Sequence, residues 1–228
     1  MKKAEMSDYD SGWKEAIEKY FEEFMLFFFP DAHKDIDFIK PVEFLDKEFN
    51  KIVKYGKAKK RYSDSLVKVF LKDGTEQWIL THIEVHGYKE KGFEKRLYVY
   101  NYRIDDRHNR EVITLVILTD EDELYRPESY EVNRWGFELK FKFPLVKLID
   151  YKDKINLEHT VNPFEIMTYA HLKNLETKKD YQERLFWKIT LVKMLYEKGY
   201  KKEDILNLYR FIDWVIGLPE DLTKKFHY

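Results

Sequence analysis

Residues Val112 to Thr119 read VITLVILT, a nearly continuous apolar run. A strand with no polar face has to be covered on both sides, which is the situation of strands in parallel sheets flanked by helices. The run therefore points to an α/β protein. The segment before it fits. Phe93 to Arg107 has helical spacing, with Phe93, Leu97 and Tyr100 on one face. Gln77 to His86 reads as a strand. Strand, helix and buried strand in that order imply a right-handed parallel crossover, with the 112–119 strand laid beside the 77–86 strand.

The 77–86 strand has a second neighbour. Ser65 to Leu71 also reads as a strand, and Asp73-Gly74 between the two is a strong hairpin signal, because glycine accepts the positive φ of a tight turn. Side chains alternate along a strand, so His82, Glu84 and His86 share one face and Ile79, Thr81, Ile83 and Val85 the other. Register then decides what Asp64 meets. A two-residue loop sets Asp64 opposite Ile83; an odd loop sets it opposite Glu84. Lys72 to Glu76 is polar throughout, which favours the odd loop and places Phe70 across from Trp78. Two carboxylates on neighbouring strands make a natural site for a hard cation such as Mg²⁺. The plainer alternatives are a turn acid at Asp64 and a cross-strand ion pair at Glu84.

The remaining elements surround this core. Residues 10–29 read as a helix with Trp13, Ile17, Tyr20, Phe21, Phe24 and Phe28 as a buried stripe, capped by Asp10 or Ser11 and stopped at Pro30. A second helix is expected over Val42–Tyr55, with Leu45, Phe49 and Ile52 inward and Glu48 set in an apolar row. Phe137, Leu139, Phe141 and Phe143 alternate with Glu138, Lys140 and Lys142, as in an edge strand with one wet face. Pro163 opens a helical tail over about 163–175, 180–198 and 202–216, with Gly199 closing the middle helix. The expected architecture is a mixed sheet flanked by helices over residues 1–151, and a helical extension over 152–228 that packs on the core or serves assembly, a homodimer included.

Composition narrows the chemistry. The chain has no cysteine, which removes disulfides, thiolate metal sites and cysteine nucleophiles and fits a cytoplasmic setting. No run reaches transmembrane length and no secretory leader is evident, so no membrane association is expected. With a net charge of −1, nucleic-acid binding would need a local basic patch. One candidate is the acid-free run of Lys51, Lys54, Lys57, Lys59, Lys60 and Arg61 leading into Asp64; a solvated face is its plainer reading. Arg96 and Arg103 lie two turns apart on the same side as Tyr100 and form a second candidate.

Several stretches together carry a family likeness. They are DYDSGWKEAIEKYF, EFLDKEF, RYSDSLVKV, HIEVH, RLYVYNYR and FPLVKLIDY, followed by NPFEIMTYAHLKN and YRFIDW. In this order they resemble the Rpn-type recombination-promoting nucleases, a transposase-like family of the PD-(D/E)XK superfamily. The likeness covers nearly the whole chain and implies a restriction-endonuclease-like core. It also implies Mg²⁺- or Mn²⁺-dependent endonuclease activity on DNA, with no nucleotide cofactor. The implied metal ligands are Asp64, Glu84, the backbone carbonyl of Val85, and Glu48. His86 departs from the family, which usually has glutamine there, and from the superfamily, which has lysine. The implied role of that position is to orient or activate water, and an imidazole titrating near pH ~6.5 can do so as base or acid. Arg61, Lys59, Lys60, Arg96, Tyr100 and Arg103 are the expected DNA contacts.

Two other classes of function compete. His82, Glu84 and His86 would suit Zn²⁺ or Fe²⁺ in a metal protein of another kind. The near-neutral charge and the departure at His86 would suit a non-catalytic nucleic-acid-binding or assembly module.

Overall fold

The computed structural model describes residues 12–47, 49–50, 65–84, 92–219 and 221–223, the side chains of 81–84 excepted. Its contacts group the chain into two compact units. One is Phe28–Lys147; the other joins Met1–Phe27 to Leu148–Tyr228. The division expected from the sequence is 1–151 and 152–228, whereas in this grouping residues 1–27 go with 148–228.

The Phe28–Lys147 unit is mixed α/β. Its main sheet has five strands in the order β1-β2-β3-β4-β7. These are β1 (Glu43–Phe44), β2 (Ser65–Phe70), β3 (Glu76–Glu84), β4 (Val112–Leu118) and β7 (Leu145–Lys147). β1 to β3 form antiparallel pairs; β4 runs parallel to β3 and β7 parallel to β4. The parallel β3–β4 pairing is the one expected from the sequence, connected through helix α5 (Phe93–His108). Every residue of β4 except Ile113 is buried, as an apolar run requires.

Helix α5 ties the core together. Its Tyr100 and Ile104 pack with Phe49, Leu66, Trp78, Leu80 and Val112. Its Phe93 and Leu97 pack with Val116, Leu118 and Phe143. Burying each of these four side chains contributes roughly 1.5–3 kcal/mol. Asn101 anchors the helix laterally, donating to the Val112 carbonyl at 2.6 Å.

The β2–β3 hairpin keeps the odd loop but not the expected register. Leu71 and Thr75 close a three-residue loop, with Gly74 at φ 91 and its N–H donating to the Leu71 carbonyl at 2.9 Å. Asp73 accepts from the Thr75 N–H at 2.8 Å and holds the turn. The loop is thus centred one residue earlier than the sequence suggests. Phe70 pairs with Glu76 and Trp78 with Lys68, so the expected Phe70–Trp78 pair is not formed. Trp78 instead packs its ring on His108 and donates its indole N–H to Glu76.

Two further expectations need correction. The helix expected over 42–55 begins later, because Glu43 and Phe44 pair with β2 as β1, and helical residues (α4) start at 46–47 and continue at 49–50. The 137–143 strand is not an edge of the main sheet. It is β6 (Phe137–Lys142), paired antiparallel to β5 (Ser129–Arg134) in a separate two-stranded ribbon. A short helix, α3 (Pro30–Asp35), precedes the sheet, so Pro30 opens a helix as well as ending one.

The other unit is helical. α1 covers 12–19 and α2 is Phe21–Phe28, so the single helix expected over 10–29 is interrupted at Tyr20, whose hydroxyl donates to Asp204 at 2.7 Å. Helix α6 (Pro163–Glu176) is capped by Asn162, and α7 (Tyr181–Glu197) by Asp180. Gly199, at φ 71, closes α7 as expected, and α8 (Lys202–Val215) follows. The aromatic stripe is core: Trp13 lies edge-on to Phe211 at 5.3 Å, and Phe24 edge-on to Phe164 at 5.3 Å. Lys188 is buried beneath the end of α8, donating to the Asp213 and Ile216 carbonyls at 3.0 Å and pairing with the Asp213 carboxylate. Burial pushes its ammonium down, and Asp213 opposes the shift.

Candidate metal and nucleic-acid site

Of the residues selected for the metal site, Glu84 lies at the carboxyl end of the parallel strands, where open α/β sheets commonly bind ligands. Glu84 is the last residue of β3, and its backbone pairs with Leu118 on β4. Leu118 in turn pairs with Lys147 on β7. Glu84, Leu118 and Lys147 therefore form one row across three strands. Asp64, Val85, His86 and Glu48 lie outside the described residues, as do Lys59, Lys60, Arg61 and the rest of the basic run. Among the described residues, no group of three or more His, Asp or Glu side chains could hold a metal ion.

The α5 residues are placed in detail. Arg96 is half-buried, with its guanidinium 5.5 Å from the Phe93 ring centre and 5.9 Å from that of Tyr100. Arg103 is also half-buried. Tyr100 is only 1% exposed, and its ring sits edge-on to Phe49 at 5.7 Å. That ring is engaged in the core, where it cannot stack on a base.

The sequence reading missed a buried ion pair at this same end of the sheet. Asp120 follows β4, and its Oδ1 lies 2.7 Å from Lys147 Nζ at the end of β7. The two side chains are 2% and 0% exposed. Lys147 also donates to the Tyr125 carbonyl at 3.0 Å, and the Asp122 N–H donates to Asp120 Oδ1 at 3.0 Å. Asp120 Oδ2 is buried without a hydrogen-bond partner among the described residues. One lysine thus joins β7, the second residue after β4 and the 120–125 loop. The available signal was local: Lys147 stands inside the apolar stretch FPLVKLI, and an acid directly follows the run VITLVILT.

A separate cavity of about 350 Å³ lies in the helical unit, floored by Ala16, Met167, Leu208, Phe211 and Trp214. None of the candidate metal-binding, catalytic or nucleic-acid-binding residues lines it. Among the described residues, no helix is long and apolar enough to cross a membrane. Compared with known protein families, curated proteins and solved structures, the chain matches none.

Proposed function

We propose that the protein is a metal-dependent endonuclease acting on DNA, with a restriction-endonuclease-like core of the PD-(D/E)XK type. The observation that carries this reading is the order and pairing of the central elements. An antiparallel hairpin leads through α5 into a parallel strand, and its second strand ends at Glu84 beside the buried end of β4. The resemblance of Asp64, Glu84-Val85-His86 and their flanks to the Rpn-type nucleases supports the same assignment.

The donors Asp64, Glu84, the Val85 carbonyl and Glu48 form an all-oxygen set, which fits the chemistry of Mg²⁺ or Mn²⁺. A divalent cation bound there would supply charge stabilisation at the phosphoryl oxygens. The carboxylates orient and neutralise. His86 holds the attacking water and accepts its proton, a role open to a neutral imidazole. Arg96 and Arg103 offer guanidinium groups to the phosphates beside the scissile bond.

The decisive experiment is cleavage of plasmid DNA by the purified chain with Mg²⁺ or Mn²⁺, and again in chelator. Asp64→Ala and Glu84→Ala should each abolish cleavage while leaving the circular dichroism spectrum and thermal midpoint unchanged. Wild-type cleavage by either folded variant would refute the assignment.

A further inference from the structure

The β5–β6 ribbon ends in an unusual turn. Arg134 and Phe137 are its last paired residues, so Trp135 and Gly136 alone make the connection. Both have positive φ, 54° and 82°. This is the geometry of a type I′ hairpin turn, whose first position favours Asn, Asp or Gly. For a bulky side chain that conformation is a genuine outlier, carrying a steric cost. Nothing in the fold repays that cost by burial, since Trp135 is 92% exposed. A strained residue that gains nothing from the core is a reason to look for a function.

The surroundings of Trp135 specify the kind of partner. The Arg134 guanidinium lies over its ring, 4.5 Å from the centre. Phe137, directly after the turn, is 61% exposed. The carboxylates of the ribbon are engaged locally. Glu131 pairs with Lys140 at 3.0 Å, and Glu138 accepts from Asn133 at 3.3 Å. Arg134 and Lys142 have no carboxylate partner among the described residues. The base of the ribbon is fixed on α5, with Tyr130 and Phe141 packed on Tyr98 at 5.4 and 5.7 Å. The tip is therefore an indole held out on an anchored two-stranded arm, beside the Arg134 guanidinium, which has no carboxylate partner among the described residues.

We propose that the tip of this ribbon is a base-stacking element for nucleic acid. Trp135 stacks on an unpaired base or enters an opened base step, while Arg134, whose guanidinium lies over the indole, faces the adjacent phosphate. Stacking on an aromatic face is tolerant of sequence, and nearby cations supply the electrostatic part of such sites. A two-stranded ribbon is also narrow enough to enter a major groove. The choice of partner class rests on the reading of the chain as a protein that acts on DNA.

The test uses the full chain in chelator, so that no cleavage intervenes. Binding is followed by fluorescence anisotropy of a labelled single strand and of a duplex carrying one unpaired 2-aminopurine. Trp135→Asn should weaken binding about tenfold, the typical worth of one stacked base. It should also remove the 2-aminopurine quenching produced by the wild type. Its thermal midpoint should hold or rise, because Asn-Gly is a preferred type I′ pair. Trp135→Phe keeps an aromatic face and should retain most of the affinity. Equal binding by wild type and Trp135→Asn would overturn the proposal. So would a Trp135→Phe variant as weak as Trp135→Asn, or binding to anionic vesicles in place of oligonucleotides. The two readings fail separately. Asp64→Ala should lose cleavage and keep Trp135-dependent binding. A wild type that binds through Trp135 but never cuts would sink the nuclease assignment alone.

Discussion

Replacing Lys147 by methionine should be among the most damaging single changes in the sheet unit. Its ammonium is fully buried, 2.7 Å from an Asp120 carboxylate that is itself 2% exposed. Methionine fills similar space but leaves that carboxylate buried without its counter-ion. Removing one partner of a buried pair typically costs ~3–5 kcal/mol. The lost hydrogen bond to the Tyr125 carbonyl acts in the same direction. For a chain of this size such a loss lowers the thermal midpoint by roughly 6–20 °C. Asp120→Asn alone should be comparably harmful, since it strands the lysine. The double variant should recover most of the loss, because a neutral pair carries no uncompensated charge and the introduced amide oxygen still accepts from the Asp122 N–H. Thermal and urea unfolding of the four proteins give the coupling directly, expected to be at least as large as one single loss, about 3–5 kcal/mol. If the two single losses simply add in the double variant, the pair is not the clamp described.

Three further outcomes are expected. Neutralising Lys57, Lys59, Lys60 and Arg61 together should weaken DNA binding and flatten its dependence on salt, because fewer counterions are released; an unchanged slope of log affinity against log salt would assign the run to solvation. If His86 handles the water, cleavage should show an inflection near the imidazole pKa, His86→Gln should keep some activity without that inflection, and an unaltered pH profile would exclude His86 from the chemistry. Burial pushes the Tyr200 hydroxyl up to about 12. A tyrosine that ionises near pH ~10 when unfolded then makes the fold lose stability as pH rises from about 10 towards 12, where the unfolded chain binds fewer protons. Tyr200→Phe should reduce that alkaline loss while costing about 1 kcal/mol at neutral pH for the hydrogen bond to Val161, and chemical denaturation at several pH values would show it.

What the sequence made legible follows from how local each signal is. The apolar run of β4 could only be a covered strand, and its parallel partner followed from the helix between them. The stripe of Trp13, Ile17 and Phe24 could only be core. The hairpin turn was visible in Asp73-Gly74, but its register was not. Either centring of an odd loop keeps the same faces inward, and the choice fell to Leu71 closing on Thr75. The aromatic alternation at 137–143 showed a strand with one wet face but could not say which sheet it joins. The Asp120–Lys147 pair joins residues far apart in sequence, and neither position is unusual until β4 and β7 are aligned. Of the metal site, only Glu84 is among the described residues, and only through its backbone.

The joining of the first helix to the last three has a consequence during synthesis. Residues 28–147 are contiguous, and the sheet unit has its own strands and its own core as soon as they have left the ribosome. Trp13 and Phe24 are made earlier but meet Phe164 and Phe211 only once those later residues have been made. Until then the stripe of α1 and α2 is an uncovered aromatic surface on a nascent chain, the kind of surface that chaperones bind and that drives aggregation. A message truncated between Lys147 and Phe164 would therefore yield a folded middle carrying an aromatic N-terminal helix that lacks its partners.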